Sequence, residues 1–394
     1  MMELINVNKN DDTLIIGLLG HVDSNNSEQI EKEINEARSG YEGKKIVIDA
    51  DELKYISSSG LRILLRLRKE YPDLKLINVN SEVYEIFSIT GFTEMMSIEK
   101  AYRKMSVDGC EVIGQGANGI VYRIDADTIV KVYRDPNALP EIRRERELAR
   151  TALILGIPTA IPYDVVKVGD NYGSVFELLN AKSFAKLLVE DPTKLDDIVR
   201  MSVDLLKKIH STVVENGDMP KMKDVAVGWV EFLEQYLPED TYAKLYRMIN
   251  EVPDDDHMLH GDYHLKNVML QNDEVLLIDM DTLSVGHPLF EFAAIFNAYQ
   301  GYSDLDHENI KGFLGIDYET GAKIWKEFLD LYFEGKSEEE KNEIADKARL
   351  VGFARNMRRI IRRNGFDTEK GRNEIENCKQ HVIELTEKLD SLVF

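Results

Sequence analysis

Short runs of branched apolar residues recur through the first hundred positions: TLIIGLLG (13–20), KKIVIDA (44–50) and LKLINV (74–79), each bounded by polar turns. Runs of this length and composition predict strands. Between them, NSEQIEKEINEARSG (26–40) and SSGLRILLRLRKEYPD (58–73) set apolar residues at helical spacing behind Asn or Ser, which predicts helices. Strands alternating with helices imply a small α/β domain.

The pattern changes after KAYRKMSVDG, a polar connection that ends in glycine. In VIGQGANGIVYRIDADTIVKVYRD (112–135), the alternation of IVYRI and TIVKVY predicts two antiparallel strands. Gly114, Gly116 and Gly119 form a G-x-G-x-x-G turn, with Val121 two residues on and Lys131 on the second strand. Glycines there let backbone amides approach phosphate oxygens without a Cβ clash. The same letters mark dinucleotide sites when a helix follows, but strand residues follow here. Next, EIRRERELARTALILGIPTA (141–160) predicts a helix that supplies Glu141, Glu145 and Glu147, and DVVKVGDNYGSVFELLNAKS predicts two strands joined at an Asp-Asn turn.

Composition sets the bounds. A chain of 394 residues should hold two or three domains, and 43% hydrophobic with 30% charged residues is enough for real cores without low-complexity tracts. Cys110 and Cys378 offer neither a metal spacing nor a disulfide framework, which fits a reducing compartment. The start MMELINVNKNDD lacks a basic segment followed by an apolar one, and no run is long enough to span a bilayer. The expectation is a cytoplasmic protein with no membrane partner. Net charge is −22, and residues 1–105 hold 14 basic and 18 acidic side chains, so the remainder sits near −18. Such a surface repels nucleic acid, and it would attract a cationic small substrate if the excess lies near a cleft.

The densest chemistry is MLHGDYHLKNVMLQNDEVLLIDMD (258–281), with two histidines and four aspartates beside apolar runs. Carboxylates next to buried strands need a cation to pair with. Zinc fits poorly because HGDYH has no third soft ligand nearby, and no G-x-S-x-G elbow supports a hydrolase.

Two resemblances follow from these motifs. GHVDSNNS, IVIDADELKYISSSGLRILL and SEVYEIFSITGF resemble a STAS domain, the anti-sigma-factor antagonist fold, over residues 1–103. In that family a regulatory serine opens the helix after the second central strand, which implies Ser58 as the phosphosite candidate and a protein partner for the domain. Ser57 stands where many relatives carry aspartate, and plain helix capping is the simpler role for such serines. The glycine turn, Lys131 and the spacing Asp262–His264–Asn267–Asp279 resemble the aminoglycoside phosphotransferase and choline kinase group, relatives of the protein kinases, over roughly residues 108–364.

The second resemblance implies a bilobal α+β kinase-like fold: a small antiparallel-sheet lobe over 108–180 and a mainly helical lobe over 181–394. It implies ATP and Mg2+ as cofactors. Lys131 would reach the α and β phosphates, held by Glu145, with Glu147 as the alternative. Glu177 to Leu179 would offer backbone groups to adenine, above an apolar floor of Met269 and Ile278. Asp262 would accept a proton from, or orient, the attacking hydroxyl, and His264 would face the transferred phosphoryl group. Asn267 and Asp279 would ligate magnesium, with Asp281 as a supporting carboxylate and His260 organising the loop backbone. Glu291 in VGHPLFEFAAIF stands where relatives usually carry aspartate. The arginines of KARLVGFARNMRRIIRRNG (347–365) are expected in salt bridges and on a solvated face.

The function these readings imply is transfer of a phosphoryl group from ATP to a hydroxyl of a small molecule, with a STAS regulatory module. Two alternatives remain at this level: a protein-serine kinase acting on a STAS serine, and a partner-switching regulator that binds nucleotide without catalysis.

Overall fold

The computed structural model describes residues 4–9, 13–41, 45–116, 118–215 and 219–394. The chain divides into two compact units: Met1–Ser106 with Val165–Asp170, and Val107–Asp164 with Asn171–Phe394.

The first unit is built on a five-stranded sheet of β1 (Ile5–Lys9), β2 (Thr13–Leu18), β3 (Lys45–Asp49), β4 (Lys75–Val79) and β5 (Ser97–Lys100), in that spatial order. β1 runs antiparallel to β2, and the remaining neighbours are parallel, with Ile16 opposite Ile48 and Ile48 opposite Leu76. The run TLIIGLLG ends as a strand at Leu18 because Gly20 takes φ +69, which turns the chain into a separate short strand at Gly20–Val22. Helices α1 (Ser27–Arg38), α2 (Ser58–Glu70) and α3 (Ser81–Ile89) add Ile30, Ile34, Leu64, Leu67 and Phe87 to the core.

The start of α2 differs from the capping expectation. Ser57 is the N-cap residue with extended backbone, but no side-chain cap bond is made there. Its Oγ instead lies 2.7 Å from Ser59 Oγ. Ser58, the first helical residue, is exposed. Gly60 lets the helix approach closely, since a Cβ there would lie 2.7 Å from both Ile56 Cγ1 and Val22 Cγ1.

The second unit opens with β6 (Glu111–Gln115), β7 (Gly119–Arg123) and β8 (Thr128–Tyr133). These are followed by α4 (Leu139–Ile154) and β9 (Asn171–Glu177), and the strands lie in the order β9-β8-β7-β6. The turn before β9 falls at Gly169–Asp170, where Gly169 takes φ +60, one step earlier than the expected Asp-Asn pair. The larger part of the unit is helical. It contains α5 (Leu195–His210), then the hairpin β10 (Val268–Gln271) and β11 (Glu274–Leu277), then α6 (Leu289–Tyr299), α7 (Tyr318–Tyr332), α8 (Glu338–Arg362) and α9 (Glu369–Lys388). Asn272 and Asp273 both take positive φ in the two-residue hairpin turn, which Asn and Asp tolerate better than other side chains.

Every residue of α6 is buried, which is why FEFAAIF reads as apolar all round. Helix α8 starts with a capping box between Ser337 and Glu340. Among the described residues, no helix is long and apolar enough to cross a membrane. Cys110 and Cys378 are free thiols, the second one buried.

Candidate active site

The glycine turn joins β6 to β7. Gly116 N–H donates to Gly119 O at 3.0 Å, and a Cβ at Gly119 would come within 2.4 Å of Val132 O, so only glycine fits the strand there. Gly114 and Gly116 have ordinary or open space around them, so their lack of side chains leaves room along the cleft. Ala117 lies outside the described residues. Register places Val121 of β7 opposite both Gly114 and Lys131.

Lys131 is the hub of the site. Its Nζ donates to Glu145 Oε1 at 2.9 Å and Oε2 at 3.2 Å, and it lies 3.2 Å from Asp279 Oδ1. Glu145 is buried on α4, whereas Glu141 and Glu147 point to exposed positions on the same helix. Burial opposes the charge on Lys131, but the two carboxylates outweigh it and hold the ammonium above its ordinary value. Tyr133, two residues further along β8, donates its hydroxyl to Glu145 Oε2. Sequence reasoning misses this residue, although period two places it on the same strand face as Lys131.

The loop between Met258 and the β10–β11 hairpin carries the other groups. Asp262 is half-buried, with Oδ2 3.5 Å from His264 Nε2. Burial pushes its carboxyl up, but His264, with Arg355 and His260 beyond, holds it at about 2. Asn267 is buried, and its Nδ2 donates to the Asp262 carbonyl at 3.0 Å, which leaves Oδ1 as an acceptor. Asp279 adopts left-handed backbone, φ 66 and ψ 68, with only Ile278 between it and the end of β11. A non-glycine residue in that region costs about 1–2 kcal/mol, so the surroundings hold the aspartate in place against strain. Asp281 is pushed up to about 7 by burial, then by Asp279 and Glu145.

The loop backbone is anchored from below. Glu291, fully buried on α6, accepts from His260 N–H at 2.5 Å and Gly261 N–H at 2.9 Å, and faces His210 Nε2 at 3.6 Å. Burial raises its carboxyl, but His210 and His260 reverse this and hold it low. Gly261 takes φ +81, and a Cβ there would lie 2.7 Å from Thr282 O. Tyr263 donates to Ser202 O at 2.7 Å, and Tyr299 Oη accepts from Leu265 N–H at 3.1 Å. The glutamate at 291 therefore reaches the loop despite being longer than aspartate. His260 itself contributes a carbonyl that accepts from Thr282 Oγ1 at 2.7 Å.

Of the sequence-derived candidates, all but Ser58, Glu147, His260 and Glu291 line one cleft of about 1370 Å³ in the second unit. Glu177, Leu179, Met269 and Ile278 stand along it. Of the backbone donors at its edge, Glu177 N–H is bound to Ile161 O at 3.0 Å and Leu178 N–H to Asp127 O at 2.7 Å. Asn267 Oδ1 and the Asp279 carboxylate are hard oxygen donors, a set that fits magnesium completed by nucleotide phosphates. Among the described residues no group of three or more His, Cys, Asp or Glu is placed to hold a metal ion by itself.

At the end of α8 the expected solvated face is kept by Arg362 and by Arg363 just beyond it, both exposed, but the expected salt bridges are not made. Among the described residues Arg355, Arg358, Arg359, Arg362 and Arg363 join no carboxylate ion pair, and all five line the same cleft. Three of them, Arg355, Arg358 and Arg359, instead meet aromatic rings contributed by distant elements, which local sequence does not reveal.

At the rim, Asp304 Oδ2 accepts from His381 Nε2 at 3.1 Å and from Asn377 Nδ2 at 2.7 Å. The His381 bond lowers the Asp304 carboxyl despite burial and, in return, raises the imidazole. A raised histidine stabilises the fold below its ordinary value of 6.5 and loses that contribution as pH rises through its folded value. The lowered aspartate stabilises it above 3.8 and loses that contribution as pH falls. The pair is therefore complete between about pH 4 and 6.5. Denaturant unfolding of His381→Gln should show a smaller loss of stability between pH 6 and 8 than the parent; parallel profiles would remove the pair from the account.

The model of the family described as "Phosphotransferase enzyme family" matches residues 109–323, and the STAS domain model matches residues 5–105. The N-terminal part is 36% identical over 98 residues to a Bordetella bronchiseptica protein described as a candidate anti-sigma factor antagonist, BtrV. That match covers 24% of this chain and 84% of the other. The crystal structure of a thermostable mutant of aminoglycoside phosphotransferase APH(4)-Ia aligns with a TM-score of 0.50 at 12% identity, over 77% of this chain and 98% of that one. The bilobal kinase-like fold is thus shared. A choline/ethanolamine kinase family protein from Mesorhizobium loti aligns over 71% of this chain and 88% of its own, at 14% identity and a TM-score of 0.46.

Proposed function

The chain belongs to the phosphotransferase enzyme family, with a STAS domain ahead of the family's region, and we propose that it moves the terminal phosphoryl group of ATP to a hydroxyl of a small molecule. The observation that carries this reading is the convergence on Lys131 of Glu145 from α4 and Asp279 from beyond β11, in the cleft that also holds Asp262 and Asn267. Phosphoryl transfer depends mostly on positioning and charge neutralisation, and these residue types serve both.

In this reading Lys131, fixed by Glu145, holds the α and β phosphates. Asn267 and Asp279 hold magnesium, which when bound neutralises charge on the nucleotide phosphates. Leu179 offers its backbone to adenine over Met269 and Ile278. Asp262 orients the acceptor hydroxyl: as the acceptor oxygen bonds to phosphorus and the bond to the β–γ bridging oxygen breaks, the hydroxyl proton passes to Asp262 and then to solvent. A carboxyl held at about 2 is a weak base, so orientation is its larger contribution. His264, beside it, donates toward the phosphoryl oxygens.

For the STAS domain the reading is docking to a protein partner. A second reading, phosphorylation of Ser58, is favoured by its exposure at a helix start that lacks a side-chain cap, where phosphate oxygens would meet free N–H groups. One experiment addresses both. The full chain is incubated with ATP and magnesium and a panel of sugars, amino alcohols, nucleosides and polyols, and products and protein are read by mass spectrometry. A phosphorylated acceptor and an unmodified chain support the first reading, whereas phosphate on Ser58 alone supports the second. Absence of magnesium-dependent nucleotide binding defeats both.

A further inference from the structure

We infer that the acceptor carries an anionic group, a phosphate or a carboxylate, and that the arginines of α8 receive it; this rests on the phosphotransferase reading above. Helix α8 brings Arg355, Arg358, Arg359 and Arg362 to the cleft that holds Asp262, at the three- and four-residue spacing that aligns side chains on one helix face.

Among the described residues none of these arginines forms an ion pair with a carboxylate, although Arg355 lies close enough to Asp262 to help hold its carboxyl low. The acids on the same side of the cleft are already engaged: Asp304 with His381 and Asn377, Asp306 with Lys370 at 2.7 Å, and Glu374 with Lys370 at 3.9 Å. Like charges gather instead, and burial together with Arg362 and Arg355 pulls the Arg358 guanidinium below its ordinary value. A chain with net charge −22 has many carboxylates available to pair with arginines, yet among the described residues it places none on these.

The guanidinium groups are held ready in another way. Arg355 lies 5.2 Å over the Trp229 ring, Arg358 5.7 Å over Phe232 and Arg359 4.5 Å over Tyr302. A ring beside a guanidinium attracts the cation through its π face and takes up none of its N–H donors. Arg355 spends one donor on Gly261 O at 3.0 Å, which ties this helix to the loop carrying Asp262. Arg358 Nε is buried and has no hydrogen-bond partner among the described residues. Guanidinium groups whose donors have no protein partner match the paired oxygens of phosphate and carboxylate. An acceptor that fits therefore has a hydroxyl at its Asp262 end and an oxyanion at its α8 end. This reverses the attraction for cations drawn from overall charge, because the field inside a cleft follows its lining and not the total.

The test uses the full chain saturated with magnesium and a non-hydrolysable ATP analogue, titrated by calorimetry with matched compounds. These are glycerol, glycerol 3-phosphate and glycerate; ribose and ribose 5-phosphate; glucose and glucose 6-phosphate; and choline as the cation. At least one anion should bind tenfold or more tightly than its neutral partner, with the phosphate and carboxylate arms deciding between the two groups. Arg359→Gln and the exposed Arg362→Gln should each weaken that binding by roughly tenfold, the scale of one charge-assisted hydrogen bond, while affinity for the analogue stays the same. The inference is overturned by neutral compounds or choline binding as tightly as every anion. Unchanged anion binding in both variants also overturns it, and so does weakened analogue binding, which would assign the arginines to the nucleotide. If the parent does not bind the analogue, the phosphotransferase reading itself has failed and takes this inference with it.

Discussion

Asp262→Asn should reduce phosphoryl transfer by about 10²–10⁴-fold while nucleotide affinity stays within about twofold of the parent, the range for losing the group that orients the attacking hydroxyl and takes its proton. The substitution keeps shape and removes charge. The carboxylate faces His264, whereas the main-chain carbonyl of the same residue is what Asn267 grips. The loop should therefore keep its conformation, and the loss should appear in kcat more than in KM. Because the carboxyl is held at about 2, it stays ionised across the working range, so no acidic limb in the pH–rate profile between pH 4 and 8 should belong to it. Single-turnover rates of parent and variant decide the matter. Equal rates would take Asp262 out of the mechanism, and an acidic limb in the parent that vanishes in the variant would contradict the low value.

The second large effect is on stability. Glu291→Ala should cost about 2–5 kcal/mol, since each buried donor left without an acceptor costs about 1–3 kcal/mol and two are left so. Two N–H groups lose their acceptor at once, those of His260 and Gly261, and the His210 imidazole loses the carboxylate that it faces at 3.6 Å. The carboxylate is fully enclosed, so water does not readily take its place. Glu291→Gln retains one acceptor oxygen and should cost less than the alanine change. Glu291→Asp should also destabilise, since the shortened side chain must draw back from a backbone that it now meets at 2.5 and 2.9 Å. Denaturant midpoints for the three variants test this ordering, and an alanine variant within about 1 kcal/mol of the parent would show that the anchor contributes little.

Both predictions concern a loop whose letters are informative on their own. HGDYHLKN and LLIDMD read as one constellation because costly charges sit beside strand-like runs, and the fold brings them to one cleft. Period-two alternation around the glycines likewise locates the hairpin and puts Lys131 on its second strand. The features that cannot be read this way depend on partners remote in sequence. Tyr133 shares a face with Lys131, but only the packing of α4 supplies the glutamate that it meets. The arginines of α8 read as a solvated, salt-bridged stripe because the rings that three of them meet, Trp229, Phe232 and Tyr302, belong to other elements. Ser57 has the composition of a helix cap, since serine excels there, yet its hydroxyl turns to Ser59.

The burial of α6 on all sides has a kinetic meaning. Glu291 sits near its beginning and clasps the amides of His260 and Gly261, so those two N–H groups are fastened to an element with no solvent-facing side. Local fraying cannot release them; their exchange with deuterium should require the whole helical lobe to open, at the slowest rate in the molecule. The segment that would do the chemistry is thereby among its most rigid, and whatever motion admits and releases ligands must come from the walls around it.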